Sequence, residues 1–151
     1  KILALQEGGL LIATNKSLLY YADNTIRRLN LRSLPLSLTQ LDNGDIYVGT
    51  EAFMGLKGKL ADLLAVPLRE TLVVGLEFKA VIEDFQQNVL VAWMSGLNKI
   101  DAAGKESSFD ENNLLYRSGV NDLQASQDST LWIATNGSGL VIKKAGQPPF
   151  V

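Results

Sequence analysis

Apolar and polar positions along this chain fall into short alternating stretches separated by glycine, asparagine, aspartate and serine, the pattern of strands joined by tight turns. One phrase recurs four times at intervals of about 40 residues: Leu10-Leu11-Ile12-Ala13-Thr14, Ile46-Tyr47-Val48-Gly49-Thr50, Val89-Leu90-Val91-Ala92-Trp93 and Leu131-Trp132-Ile133-Ala134-Thr135. Ahead of each phrase stand Gly8, Gly44, Gln87 and Ser129, inside turn-like clusters such as Asn43-Gly44-Asp45 and Asp128-Ser129-Thr130, so a hairpin precedes every phrase. After it, Ser17-Leu18, Gly55-Leu56, Gly96-Leu97 and Gly139-Leu140 open another apolar segment. Upstream, Ile2 to Leu5, Leu36 to Leu41, Val81 to Asp84 and Val120 to Leu123 read as a preceding strand, and Thr25 to Leu29 and Lys105 to Phe109 as a trailing one. Each repeat is therefore a four-stranded meander. The least regular stretch is Lys57 to Phe78, where Leu60, Leu63 and Leu64 fit a helical turn and Thr71 to Val74 a further strand.

The second strand of each repeat is apolar on both faces: Leu10 and Ile12 point one way and Leu11 the other, as do Val89 and Val91 against Leu90. Such a strand must be covered on both sides. A lone sheet would leave one side wet, whereas blades stacked face to face around an axis bury both, and the small residues Ala13, Gly49, Ala92 and Ala134 suit tight packing. The expected fold is an all-β propeller segment of four four-stranded blades, about 1–30, 36–78, 79–110 and 119–151. A β-sandwich with accidental internal similarity is the alternative; a β-solenoid repeats at shorter periods. Trp132 and Tyr47 fall on buried repeat positions and are expected in the core.

Composition narrows the function. A net charge of −2 and a pI near 5.1 create no field for phosphate backbones or anionic membranes, so neither nucleic acid nor a membrane surface is expected as a partner. The absence of cysteine leaves the compartment undecided. The absence of histidine removes the commonest general base near neutral pH, the commonest zinc ligand and every Ser-His or Cys-His arrangement. The longest apolar run, Leu60 to Leu68, is broken by Asp62 and Pro67 and is far shorter than the roughly 20 residues of a membrane span. The chain starts at Lys1 with no basic n-region and no apolar signal core, so it reads as an excerpt of a longer protein.

The phrase Asp128-Ser129-Thr130-Leu131-Trp132-Ile133-Ala134-Thr135, followed by Asn136-Gly137-Ser138-Gly139-Leu140, resembles the two-component regulator propeller repeat, an Asp-headed Leu-Trp-Ile-Gly-Thr phrase followed by Gly-Gly-Leu. Glu83-Asp84 at the head of the third copy, Gly49-Thr50 closing the second and Glu7-Gly8-Gly9-Leu10 in the first extend the likeness over nearly the whole chain. Ser129 and Gln87 in place of the turn glycine, and Trp93 in place of the threonine, depart from it. The resemblance implies a periplasmic sensor propeller of a membrane-bound bacterial regulator, binding oligosaccharides, with a kinase or transcription-factor output outside this segment. It also implies a ring of about seven blades, of which the four repeats here are part; from the residues themselves no cofactor, metal or catalytic residue is expected.

In a meander that begins at the axis, the loop after the second strand and the link between blades open on one mouth. The ligand-binding candidates there are Asn15, Lys16, Glu51, Trp93 and Asn136 in the first set and Arg32, Tyr116 and Arg117 in the second, amide, charged and aromatic groups suited to sugar hydroxyls and to stacking on a pyranose face. The plainer reading is that loops are polar anyway, and that Trp93 packs between blades. Asp42, Asp84 and Asp128 recur at turns and read as turn caps rather than as a glycosidase pair. Asp110-Glu111-Asn112-Asn113 lacks the spacing of a calcium loop. The function expected is ligand sensing without catalysis, with a protein-interaction scaffold, or a propeller lyase or hydrolase, as alternatives. Beyond a small-molecule or oligosaccharide ligand, the expected partners are the remaining blades of the parent protein or a second copy of the chain, because an open arc leaves one side of blade 1 and one side of blade 4 uncovered.

Overall fold

The computed structural model describes residues 1–31, 33–51, 54–65, 71–74, 79–109 and 119–151. They fall into two compact units, Lys1–Phe78 and Lys79–Val151. The first unit holds blade 1, β1 (Ile2–Ala4), β2 (Leu10–Ala13), β3 (Leu18–Ala22) and β4 (Thr25–Leu29), and blade 2, β5 (Pro35–Gln40), β6 (Ile46–Thr50), β7 (Met54–Gly58), the short helix α1 (Leu60–Leu64) and β8 (Thr71–Val74). The second holds blade 3, β9 (Ala80–Glu83), β10 (Val89–Trp93), β11 (Gly96–Ile100) and β12 (Glu106–Ser108), and blade 4, β13 (Val120–Ala125), β14 (Thr130–Thr135) and β15 (Leu140–Lys144). Each is an antiparallel meander in which sequence neighbours are sheet neighbours.

Blade 4 departs from the four strands expected of it. Where the fourth would run, Pro148 and Pro149 have no N–H to give a ladder. Phe150 alone pairs, exchanging two backbone hydrogen bonds with Ile142 at 2.8 and 3.0 Å.

The core of each unit follows one rule. In the first, Leu11 and Ala13 of β2, with Leu18 and Leu29, pack against Ile46 and Val48 of β6, with Leu38, Leu56 and Leu63. In the second, Leu90 and Ala92 of β10, with Ala80 and Leu97, pack against Leu131 and Ile133 of β14, with Val120, Leu123 and Val141. The leading blade thus offers the second and fourth positions of its phrase, and the trailing blade the first and third. A fully buried leucine or isoleucine in such a layer is worth about 1.5–3 kcal/mol. Leu63 sits at 0% exposure on α1, so the irregular segment of blade 2 serves to seal the first core.

The same rule corrects the placement of Trp132. It occupies the second position of the trailing blade, on the face turned away from the core of its unit, and is 38% exposed, its indole N–H donating to Ser126 Oγ at 2.8 Å. Tyr47 is buried as expected. On the leading blade 1 the outward face carries Leu10 and Ile12 only half-buried, with Ile2 and Ile26 exposed beside them.

Four equivalent turns lead into the second strands. In each, the N–H of the fourth turn residue reaches back to the carbonyl of the first: Gly8 to Leu5, Gly44 to Leu41, Gln87 to Asp84 and Ser129 to Ser126. That fourth residue is left-handed every time, with φ of 92, 81, 61 and 62°. Only the first two copies use glycine, so Gln87 and Ser129 carry backbone strain of about 1–2 kcal/mol. The aspartates support these turns: Asp84 Oδ1 accepts from the N–H groups of Gln86 and Asn88 at 2.8 and 2.9 Å, and Asp128 Oδ1 from that of Thr130 at 3.2 Å.

At the same end of the first unit, Asp45 takes Lys57 at 3.1 Å and Lys59 at 2.7 Å. Burial pushes the Asp45 carboxyl up, but hydrogen bonds from Lys59 and Lys57, with their charges, outweigh it and hold the group below its ordinary value of 3.8.

Gln87→Gly and Ser129→Gly should each raise stability by about 0.5–1 kcal/mol, relief of the left-handed strain exceeding the added chain entropy, as read by urea unfolding. A group whose folded pKa is depressed stabilises above its unfolded pKa and ceases to as the pH falls through the folded one. The stability gap between the protein and its Asp45→Asn variant should therefore be full at neutral pH and close as the pH drops below about 3.8.

Candidate functional site

The opposite end of the first unit is built by three loops. After β2, Thr14 Oγ1 accepts from the N–H groups of Lys16 and Ser17 at 3.2 and 3.0 Å and donates to the Ser17 carbonyl at 2.9 Å, fixing the hairpin. Thr135 does the same after β14, accepting from the Ser138 N–H at 2.9 Å and donating to Gly139 O at 2.8 Å. The threonine that closes the repeat phrase is thus a loop cap. Where Trp93 replaces it, the loop has shrunk to the two residues Met94 and Ser95, Trp93 pairing directly with Gly96, and no cap is needed.

The links between blades are tied to these loops. The Glu51 N–H donates to Leu34 O at 2.9 Å, and Ser33 Oγ donates to Glu51 O at 2.8 Å. At the equivalent point of the second unit the Asn136 N–H donates to Gly119 O at 3.0 Å. Gly119 has a φ of 88° and passes so close to the Met94 carbonyl that a Cβ there would overlap it.

Between the loops of the first unit lies a cleft of about 310 Å³ lined by Lys16, Ser17, Arg28, Leu29, Asn30, Leu31, Ser33, Leu34 and Glu51. Leu29 is buried and Leu31 and Leu34 are half-buried; the side chains of Lys16, Arg28, Asn30 and Glu51 are exposed. Arg28 and Lys16 come from blade 1 and Glu51 from blade 2, so two cationic groups of one blade and a carboxylate of the next line the same cleft. Arg28 Nη2 touches Lys16 O at 3.5 Å, the limit of a hydrogen bond.

Of the residues expected at the mouth, Lys16 and Glu51 come together in this cleft. Asn15 is exposed on the same hairpin and is absent from the lining. In the second unit Asn136 is exposed on its loop, while Trp93 is half-buried with its indole nitrogen enclosed and without a partner among the described residues. Arg32, Tyr116 and Arg117 lie outside the described residues. Sequence reading passed over Arg28, Asn30 and Ser33. Arg28 belongs to a trailing strand, and its signal was a charged pair, Arg27-Arg28, at a strand end next to a link.

No protein-family model and no curated protein matches this chain in sequence. Solved structures match its fold. The extracellular domain of the hybrid two component system BT3049 from B. thetaiotaomicron aligns over 99% of the chain with a TM-score of 0.75 and 17% identity. The WD40 beta propeller domain of Doa1 aligns over 97% with a TM-score of 0.64 and 7% identity. This chain has a β-propeller fold. The expectation of a propeller drawn from the four repeats is met, and an extracellular domain of a two component system is among the structures that share the fold. A catalytically inactive virginiamycin B lyase from Staphylococcus aureus with Quinupristin aligns over 99% of the chain as well, with a TM-score of 0.73 and 11% identity. The chain spans 21% of the BT3049 domain, 50% of the Doa1 domain and 53% of the lyase. Among the described residues no helix is long and apolar enough to cross a membrane.

Gly119→Ala should cost about 1–3 kcal/mol, because alanine must enter a left-handed conformation against a fixed backbone carbonyl. Chemical denaturation measures it, with Gly104→Ala, whose Cβ would meet nothing within 4 Å, as the control for left-handed strain alone.

Proposed function

We propose that this propeller is a ligand-sensing segment of the extracytoplasmic part of a bacterial two-component-type regulator, and that it binds a small molecule of oligosaccharide type without transforming it. The observation that carries this reading is the cleft of the first unit, a pre-shaped polar hollow over an apolar floor at the end where the repeat loops and the blade link converge. Its loops are pinned by their own hydrogen bonds, so binding costs little ordering. The fold shared with the BT3049 extracellular domain supports the same assignment and a periplasmic location, with the signalling output carried elsewhere in the parent chain. The outward faces of blade 1, with Leu10 and Ile12, and of blade 4, with Trp132, are the surfaces on which further blades, or a second copy, would stack.

A second reading, a propeller lyase, is favoured by the fold shared with virginiamycin B lyase. Against it stands the chemistry of these residues: there is no histidine, and Asp84 and Asp128 are committed to turns.

Calorimetric titration of the purified chain against a panel of neutral and acidic oligosaccharides, followed by mass spectrometry of the recovered ligand, separates the two readings. Saturable binding with the sugar recovered intact is expected. Turnover of any panel member, or no binding across the panel, overturns the proposal.

A further inference from the structure

Three formal charges line the cleft of the first unit, and none is neutralised by another. Lys16, Arg28 and Glu51 form no ion pair among the described residues, although Glu51 lines the same 310 Å³ hollow as both cations. At the other end of the unit, equally near the surface, Asp45 gathers two lysines at 3.1 and 2.7 Å. Charges close where side chains reach each other; here Glu51 lies beyond ion-pair distance of both cations. Among the described residues the lining carries two cations against one carboxylate. Its guanidinium spends one N–H on a long contact to the Lys16 carbonyl, which leaves most of a five-donor fork to face the cleft.

The remaining polar groups add the other half of a recognition surface. Ser33 Oγ donates to the Glu51 carbonyl and keeps its lone pairs to accept from a ligand. The Glu51 main chain is held on both sides, by Leu34 O and by the hydroxyls of Ser33 and Thr50, so its carboxylate is presented from a fixed backbone. Asn30 brings both a donor and an acceptor. The cleft therefore offers a fork and an ammonium for a carboxylate, and acceptors for hydroxyl donors. Its volume is at the small end of the range for ligand sites, on the order of 300–1,000 Å³.

We infer that this cleft takes a sugar acid: a carboxylate seated on Arg28 and Lys16, with ring hydroxyls donating to Glu51 and Ser33. This rests on the reading of the protein as a sugar-binding propeller and adds that the bound residue is anionic. A neutral sugar makes no use of the two cations, and a bare carboxylate without hydroxyls makes none of Glu51 and Ser33.

Glucuronate, glucose and acetate, titrated against the whole chain by calorimetry at low and at physiological salt, test this. Glucuronate should bind at least about tenfold more tightly than glucose or acetate, with an affinity that falls as salt rises. Lys16→Gln and Arg28→Gln should each remove most of that preference while leaving the thermal melt unchanged, since both side chains are exposed. Glu51→Gln should weaken glucuronate and strengthen acetate. Equal affinity for glucuronate and glucose, or a preference for glucuronate that survives both cation substitutions, overturns the inference but leaves the sugar-binding propeller standing. Binding of none of the three, while a longer neutral oligosaccharide still binds, overturns it likewise; failure of every sugar overturns both.

Discussion

Stacking one two-faced strand on the next is the constraint from which the rest of this structure follows. A second strand apolar on both sides cannot be satisfied by its own sheet, because the sheet neighbours lie in its plane and cover neither face. In each unit one blade gives its second and fourth positions and the next its first and third, so Leu11 and Ala13 meet Ile46 and Val48, and Leu90 and Ala92 meet Leu131 and Ile133. The small residue at the fourth position lets the sheets approach, while the branched residues at the first and third fill the space they leave. Leu10, Ile12 and Trp132 occupy positions that their own units do not use and are half-buried or exposed, whereas Tyr47 and Val91, at such positions too, are buried.

Local chemistry then sets where each strand begins and ends. The left-handed fourth residue of the entry turn fixes the hairpin before the phrase, and the fold tolerates glutamine and serine there because the turn's hydrogen bonds outweigh the strain. The closing threonine fixes the hairpin after it. With both ends pinned by groups inside the repeat, the loops on one end of the first unit are free to carry unpaired charges. Polar side chains at the turn end are spent on structure, as Asp45 and Asp84 show; those at the cleft end, Lys16, Arg28 and Glu51, are not.

An extracellular domain of a two component system and a virginiamycin B lyase share this fold, so function lies in what the loops present. Here they present cations and a carboxylate across a hollow, without the imidazole that acid–base chemistry near neutral pH would ordinarily use.

The sequence by itself determined the repeat, its strands, the hairpins and the need for face-to-face stacking, because alternation, turn residues and a recurring phrase are local and are written residue by residue. Even the helical turn at Leu60 to Leu64 and the strand at Thr71 to Val74 were visible in the irregular segment. The tertiary structure alone decided which face of each strand is covered. Periodicity makes Trp132 and Tyr47 equivalent, yet the tyrosine is 4% exposed and the tryptophan 38%. It also decided which loop residues meet. Lys16 and Glu51 are on the same wall-lined hollow because a hairpin of one blade, the link behind it and a hairpin of the next converge there, and Arg28 joins them from a strand that sequence reading had assigned to the sheet alone. Convergence of segments distant in the chain depends on how blades pack, and no single repeat contains that information.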